Sequence, residues 1–320
     1  MIHNLDQFFQ RYLPHLSIAA LLLGLVTGKS SAALSATIPW FFAVITFSSG
    51  LGMRIQGLYS LAKRPWVLPL YLAVLHILWP LVAWCFSSMF FGPEVVMGFV
   101  ILTMIPVSAS SIIWVGILRG NVTLAMALIF VDTMLAPFLV PYALQFFFGT
   151  TVYMDPVRIM KGLFWMFFVP TLAAITLNRL SQGGLQRVAG QGLSLASKLS
   201  IFILLFINGG ITSPYFLDIN VTAVILFCSV FFLYCLYYIG NFSIGRLVFS
   251  DPADIVTFMI ASSMRSLLTG MVIAMTYFSP MATFVVVLGM FFQQPMSSVA
   301  GKVAGKYLQQ REPVKPLTGE

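Results

Sequence analysis

Apolar runs about 20 residues long recur along the whole chain, and short stretches that hold turn-forming residues and most of the charges separate them. A run of about 20 apolar residues is the length that crosses a bilayer as a helix. Ten such runs lie near 13–28, 36–53, 66–91, 95–118, 121–148, 159–178, 199–216, 220–244, 254–278 and 281–303, with predicted connectors that include 29–31 and 179–192. The sequence therefore predicts an all-α polytopic membrane protein with ten transmembrane helices.

Composition supports a membrane location and argues against a soluble domain. The chain is 59% hydrophobic and 8% charged, whereas a soluble domain is about 45–50% apolar and about 25% charged. The net charge of +8 does not predict a nucleic-acid partner, because the basic residues are spread between the apolar runs. The three cysteines lie inside apolar runs, so the sequence predicts neither a disulfide framework nor a metal site. The expected surroundings are the lipid bilayer.

The distribution of Lys and Arg predicts the orientation of the chain in the membrane. Ten spans place both termini on one side, and 13 of the 17 basic residues fall on that side. Positive residues accumulate in cytoplasmic loops, so we expect a protein of the cell (inner) membrane with both termini in the cytoplasm. One basic residue, Arg265, belongs to neither side because it lies inside the ninth predicted span.

Ten spans with both ends on one side divide into two inverted halves of five, predicted over 1–150 and 151–306, followed by a disordered cytoplasmic tail over 307–320. The fourth span of each half carries a polar interruption: serines follow Pro106 in the first half, and hydroxyls surround Arg265 in the second. Transporters use such discontinuous helices to bind substrates near the membrane midplane. We therefore expect a binding site where the fourth and ninth spans cross.

Arg265 is the strongest single functional signal. An arginine at the centre of a span costs at least about 2.5 kcal/mol on insertion scales, and its planar fork matches a carboxylate, phosphate or sulfate. One interpretation is an anchor for an anionic substrate. The other is a structural ion pair, for which Asp132 in the fifth span is the obvious partner.

Asp132 and His76 are the predicted coupling residues. Three interpretations of Asp132 stay open: it neutralises Arg265, it carries a proton during transport, or it ligates Na⁺ with backbone carbonyls. His76 lies in the third span and can titrate near physiological pH, so it is a candidate proton relay. The alternative for His76 is a hydrogen-bonded packing role.

Hydroxyl and amide side chains inside the spans are the predicted lining of a substrate cavity. The alternative is that these small residues allow close packing of helices, with hydroxyls bonded to the preceding turn. With Arg265, the predicted substrate-binding set comprises Ser108, Ser110, Ser111, Ser262, Ser263, Ser266, Thr269, Asn208 and Gln293.

Around the fourth span the sequence resembles the bile acid:sodium symporter family and its wider bile/arsenite/riboflavin transporter superfamily. The residues that carry the resemblance are Ile105-Pro106 with the following serines, the segment 117–121 (ILRGN), and Leu135-Ala136-Pro137 with Pro141. The segments 48–54 (SSGLGMR) and 78–80 (LWP) are similar to the second and third spans of that family. Membership implies crossing, unwound fourth and ninth helices and sodium-coupled uptake of organic anions.

Carried over residue by residue, the resemblance retains one sodium ligand and loses the others. The family's serine falls on Ser111, but the asparagine after it falls on Ile112. Hydroxyl ligands of the fifth span fall on apolar residues, and the glutamine of the third span falls near Leu75. The glutamate and glutamine of the ninth span fall on Ala261 and Arg265. The resemblance therefore implies a carrier in which an arginine replaces the stabilising charge of Na⁺.

These patterns together predict a secondary transporter of a small organic anion, of the carboxylate or sulfonate type, that works by alternating access between a core and a panel domain. Sodium-independent or proton-linked coupling is favoured, and no cofactor is expected. A sodium-coupled symporter is the first alternative, and a non-transporting membrane sensor or subunit is the second. The sequence contains no zinc, phosphate-loop or Gly-x-Ser-x-Gly pattern, so we do not expect an enzyme.

Overall fold

The computed structural model describes residues 2–52, 61–149, 155–217 and 221–311, and these residues form helices joined by short connectors. We label the helices in chain order as α1 (Ile2–Thr27), α2 (Lys29–Leu51), α3 (Val67–Ser88), α4 (Pro93–Met104), α5 (Ser111–Ile117), α6 (Val122–Phe148), α7 (Pro156–Leu180), α8 (Gly184–Leu217), α9 (Val221–Val248), α10 (Pro252–Ser263), α11 (Leu267–Tyr277) and α12 (Pro280–Arg311). The protein is an all-helical, polytopic membrane protein.

Seven helical stretches of the described chain are long and apolar enough to cross a bilayer. They are Lys29–Leu51, Val67–Ser88, Val122–Phe148, Pro156–Leu180, Gly184–Pro214, Val221–Val248 and Pro280–Gly305. Three further apolar helical stretches, Leu16–Thr27, Pro93–Met104 and Leu267–Tyr277, are shorter. Two of these three are α4 and α11, which belong to the predicted fourth and ninth spans. Each of those spans is divided into two helices, so neither half alone has the length of a span.

Two predicted connectors are wrong. The segment near residue 29 is not a loop, because α2 begins at Lys29 directly after Gly28. Most of the predicted 179–192 connector is also helical, and only residues 181–183 separate α7 from α8. Gly183 makes this short turn possible with a φ of 80°, which is accessible to glycine without steric cost. Of the predicted disordered tail over 307–320, residues 307–311 are instead the helical end of α12, and the rest lies outside the described residues.

Prolines and capping side chains define where several helices begin. Pro93, Pro156 and Pro252 each occupy the first turn of a helix, where the missing N–H costs no hydrogen bond. Asn121 caps α6 by accepting from the Leu124 N–H at 3.0 Å. Asp155 caps α7 and Asp251 caps α10 in the same way. These local signals fix the entry points of the helices into the bundle.

Two of the long helices contain a π-helical turn just before a proline. Residues 74–78 of α3 precede Pro80, and residues 164–168 of α7 precede Pro170. A proline cannot donate to the carbonyl four residues earlier, so the preceding turn widens. The first of these turns contains His76, and the second contains Phe167, which lines the cavity described below.

The helices pack as two groups. In what we call the panel group, α1 packs on α8, and α2 packs on α7 and α8. In the core group, α4 packs on α3 and α12, α9 packs on α10, and α5 and α6 pack on α10. Glycines permit close approach of helices in the panel group: a Cβ added to Gly209 of α8 would collide with the Leu21 carbonyl oxygen of α1.

Candidate functional site

The breaks in the predicted fourth and ninth spans meet in the structure. Helix α4 ends before Pro106 and α5 begins at Ser111, while α10 ends at Ser263 and α11 begins at Leu267. Between them, Val107 and Arg265 form an isolated antiparallel bridge. The Ser108 N–H donates to the Met264 carbonyl at 2.9 Å, and the Ser266 N–H donates to the Pro106 carbonyl at 2.8 Å. The two unwound segments therefore satisfy each other's backbone groups, which a lipid environment requires.

A cavity of about 70 Å³ lies between the panel group and the crossing. Its panel side is formed by Phe42, Ile45, Thr46, Ser49, Phe167 and Thr171. Its core side is formed by Val107, Ala109, Thr133, Ser266, Leu268 and Thr269. The cavity is small, and both helix groups contribute hydroxyl groups to its wall.

The structure places two of the predicted substrate-binding residues, Ser266 and Thr269, in the cavity wall, where their hydroxyl oxygens lie 2.7 Å apart. The serines of the first break turn to local partners instead. Ser108 and Ser110 share a hydrogen bond of 2.7 Å, and the Ser111 hydroxyl donates to the Ser108 carbonyl at 2.8 Å. These three serines stabilise the turn that begins α5.

The other predicted lining residues are buried behind the cavity or away from it. Ser263 accepts from the Asn241 amide at 3.0 Å, and Ser262 is fully buried. Asn208 of α8 donates to the Met275 sulfur at 3.4 Å. Gln293 of α12 accepts the Arg265 backbone N–H at 2.9 Å. Their substrate contacts therefore stay a prediction, while their packing roles are visible.

Arg265 is buried, with 1% of its surface exposed, and its guanidinium does not line the cavity. The side chain donates to two carbonyl oxygens, those of Leu75 and Ile105, each at 3.4 Å. Its guanidinium carbon lies 5.6 Å from the ring centroid of Tyr237. Carbonyls and an aromatic face thus hold the guanidinium away from the cavity wall, and its direct contact with a substrate stays a prediction.

Asp132 pairs with His76 and not with Arg265. The Asp132 Oδ1 lies 2.7 Å from His76 Nε2, and its Oδ2 accepts the Val107 N–H at 2.7 Å. Within the described ranges, no ion pair joins Asp132 to Arg265. A direct ion pair between Asp132 and Arg265 is therefore not formed in this structure, where the two carboxylate oxygens bond to the histidine and to the Val107 amide. The two predicted coupling residues form one buried pair.

A second buried carboxylate was not singled out by sequence reasoning. Asp254, in the first turn of α10, is fully buried and pairs with the Arg64 guanidinium. It also accepts from the Asn121 side-chain amide at 2.9 Å, and the Asn121 backbone N–H donates to Thr257 at 2.6 Å. This cluster ties the start of α6 to the start of α10. Its position just inside a predicted span was the available signal.

The cavity also contains hydroxyls that sequence reasoning missed. Thr46, Ser49, Thr133 and Thr171 line it from three different helices. Single hydroxyls in apolar spans carry no distinctive pattern, and Thr46 and Thr171 in addition donate to carbonyls of their own helices. Only the packing of the panel group against the core brings the four residues together.

A membrane-embedded bundle with two mutually paired unwound helices and a hydroxyl-containing cavity at their crossing is typical of secondary transporters. Comparison with known proteins identifies which kind. Residues 39–242 match the Sodium Bile acid symporter family, and the chain belongs to that family. The family consists of transporters, so the protein is a transporter and not an enzyme.

Two Bacillus subtilis (strain 168) proteins are similar to the chain. The uncharacterized protein YbaS is 31% identical over 307 residues, which cover 95% of this chain and 99% of YbaS. The uncharacterized sodium-dependent transporter YocS is 20% identical over 250 residues, which cover 78% of this chain and 77% of YocS. The resemblance inferred from the sequence motifs is therefore confirmed at the level of the family.

Proposed function

We propose that this transporter moves a small organic anion by alternating access and couples its transport to protons rather than to sodium. The observation that carries the proposal is the cavity at the helix crossing, with a buried arginine and a buried histidine–aspartate pair next to the segments that form its core side. Three elements of the proposal have separate support: the charge of the substrate, the loss of sodium dependence, and the route of the coupling proton.

An anion is favoured because the N-terminus of α11 faces the cavity. Ser266, Leu268 and Thr269, which belong to the first turn of α11 and the residue before it, all line the cavity wall. The first N–H groups of a helix have no partner within the helix and carry partial positive charge. Together with the hydroxyls, they suit the carboxylate or sulfonate of a small substrate.

Arg265 supplies the crossing with a permanent positive charge. Its guanidinium binds the carbonyl oxygens of Leu75 and Ile105, which are the kind of ligand that a cation at a broken membrane helix uses. The Arg265 guanidinium thus bonds to carbonyl oxygens of the third and fourth predicted spans. These carbonyls lie close to positions where the family resemblance implies ion ligands. The arginine holds the crossing together without Na⁺ and adds positive potential beside the cavity.

The His76–Asp132 pair is the proposed proton carrier. In the proposed starting state Asp132 is ionised and accepts at both oxygens, from the Val107 N–H and from an N–H at His76 Nε2. His76 Nδ1 is buried without a hydrogen-bond partner among the described residues, so its lone pair is free to take a proton. Val107, which bonds Asp132, and Thr133, which follows it, both line the cavity.

Charge balance links the proton to the substrate. With His76 neutral, the buried charges of Arg265 and Asp132 cancel. Protonation of His76 leaves one excess positive charge in the core, and a buried excess charge is costly unless an opposite charge accompanies it. A monoanion in the adjacent cavity supplies that charge. We therefore propose electroneutral symport of one proton with one monoanion.

Helix packing supports the two inverted halves, 1–150 and 151–306, as part of the proposal. If the two halves are equivalent, α1 corresponds to α7 and α2 corresponds to α8. The contact between α1 and α8 should then have a counterpart between α7 and α2, and both contacts exist. The same equivalence relates the α3–α4 contact to the α9–α10 contact, and both of these exist as well. Ten spans place both termini on one side of the membrane, and the excess of Lys and Arg on that side favours the cytoplasm.

The proposed function is tested by uptake into proteoliposomes with separately imposed gradients. A panel of radiolabelled monocarboxylates, dicarboxylates and sulfonates is presented with an inward proton gradient, an inward Na⁺ gradient, or neither. We expect saturable uptake of a monoanion that the proton gradient stimulates and that the membrane potential leaves unchanged. Stimulation by Na⁺ alone contradicts the coupling and favours the sodium-coupled alternative, for which the name of YocS provides a precedent. Non-saturating flux contradicts the carrier mechanism and indicates a channel.

A further inference from the structure

A second cavity, separate from the crossing, lies between α9 and α12 and has a volume of about 230 Å³. Its walls are apolar and include Ile239 and Phe242 of α9, Val299 and Val303 of α12, and Met259 of α10. Ile239, Val299 and Val303 are more than half exposed. Since both flanking helices are candidate membrane spans, this groove opens towards the acyl chains of the bilayer.

The hydroxyl group of the groove wall is turned away from the groove. Tyr238 contributes to the wall, but its hydroxyl lies 2.6 Å from the Ser297 hydroxyl, which itself donates to the Gln293 carbonyl at 2.8 Å. The tyrosine therefore presents its ring to the groove and its hydroxyl to the protein interior. A ligand of the groove must be apolar along its whole buried length.

One end of the groove carries a cation. Along α9 the wall follows a helical stripe from Cys235 through Ile239 to Phe242, and the next position of that stripe is Arg246. The Arg246 guanidinium carbon lies 5.9 Å from the Phe242 ring centroid and 5.6 Å from that of Tyr307. Arg246 is exposed, and no carboxylate of the described chain pairs with it. The stripe from 235 to 246 is roughly 16 Å long at the usual helical rise.

We propose that this groove binds an anionic phospholipid, with one acyl chain along α9 and α12 and the headgroup phosphate at Arg246. The apolar length fits an acyl chain, and the cation at its end fits the negative headgroup. Basic residues at the mouth of a groove between membrane helices are the usual recognition element for such lipids. A zwitterionic lipid fits the groove but lacks the net charge that favours the position of Arg246.

The test compares thermal unfolding of the full-length, detergent-solubilised protein with phosphatidylglycerol or phosphatidylcholine added, and native mass spectrometry of the lipid that stays bound. We expect phosphatidylglycerol to raise the Tm more than phosphatidylcholine does. Arg246→Gln should weaken phosphatidylglycerol binding about fivefold, the effect of one interfacial charge, and remove the preference. Lys161→Gln, an exposed cation of α7, is the matched charge control and should change neither quantity.

Blocking the groove gives an independent test. Ala300 lines it, so Ala300→Trp should displace both lipids, whereas Val224→Trp, on an exposed face of α9 outside the groove, should displace neither. Equal Tm shifts with the two lipids, or an unchanged preference in Arg246→Gln, would overturn the proposal. So would a stable dimer that Ala300→Trp dissociates, because the groove would then be an interface between two copies of the chain.

Discussion

At the scale of single residues, burial requires each of the few ionisable side chains of the core to have a polar partner. Arg265, Asp132 and His76 are all nearly inaccessible, yet each has a defined partner: two carbonyls for the arginine, and the carboxylate–imidazole contact for the other two. The bilayer offers no water to compensate an unpaired charge. A change of one of these residues therefore affects the charge balance of the whole crossing.

His76→Gln is expected to abolish the response of uptake to a proton gradient. Glutamine keeps an N–H donor for Asp132 but has no atom that takes up a proton near neutral pH. Substrate uptake with the inward proton gradient should fall to the rate measured without a gradient. The measurement is initial uptake in proteoliposomes that contain equal amounts of folded protein. A variant with the full proton response would show that His76 has only a packing role.

Arg265→Ala is expected to reduce saturable uptake by about tenfold or more, because a charged hydrogen bond contributes about 1.5–3 kcal/mol and two carbonyls lose their donor. Arg265→Lys should retain part of the activity, since a lysine keeps the charge but loses the planar fork. Arg158→Ala is the control, because Arg158 is exposed at the start of α7. Uptake that is unchanged in Arg265→Ala would remove the arginine from the mechanism.

At the scale of helices, interruptions are the functional features. The paired unwound segments bring backbone groups to the cavity, and the π-helical turn before Pro80 shifts the position of His76 along α3. In the proposed mechanism the uninterrupted helices provide a rigid surface for the neighbouring helix group. The close glycine contact between α1 and α8 shows this most clearly.

Gly209→Leu is expected to separate α1 from α8 and to destabilise the protein by about 1–3 kcal/mol or more, the usual cost of overpacking. The added side chain would collide with the Leu21 carbonyl, which is backbone and cannot rotate away. Gly192→Leu is the matched control on the same helix, because a Cβ at Gly192 meets nothing within 4 Å. The measurement is the Tm in detergent. Equal Tm values for the two variants would contradict the close contact.

At the scale of the whole molecule, alternating access requires the cavity between the panel and core groups to change its exposure. A cysteine at Ser266, in a background without the three native cysteines, reports on that change. We expect a membrane-impermeant maleimide to modify Ser266→Cys, and we expect the transported anion to slow the reaction. Ser88→Cys, exposed at the end of α3, should react at a rate that the anion does not change. Anion-independent labelling of Ser266→Cys would contradict a substrate site in this cavity.

Much of the architecture could be predicted from the sequence because its signals are local. Apolar length predicted the membrane helices, and a proline with clustered serines predicted the break before α5. Motifs around Pro106 and Pro137 predicted the family. The predicted connectors near 29 and over 179–192 were wrong because glycines, serines and charges are turn signals at both places, yet only Gly28 and residues 181–183 interrupt the helices.

The sequence by itself determined that this chain is a helical membrane protein with polar interruptions in two spans, since apolar length and helix-breaking residues act over a few turns. Only the tertiary structure decided which polar groups meet. It paired Asp132 with His76, directed Arg265 to the carbonyls of Leu75 and Ile105, and assembled the cavity hydroxyls from both helix groups. Such contacts join residues far apart in the chain, and their distances depend on how whole helices cross.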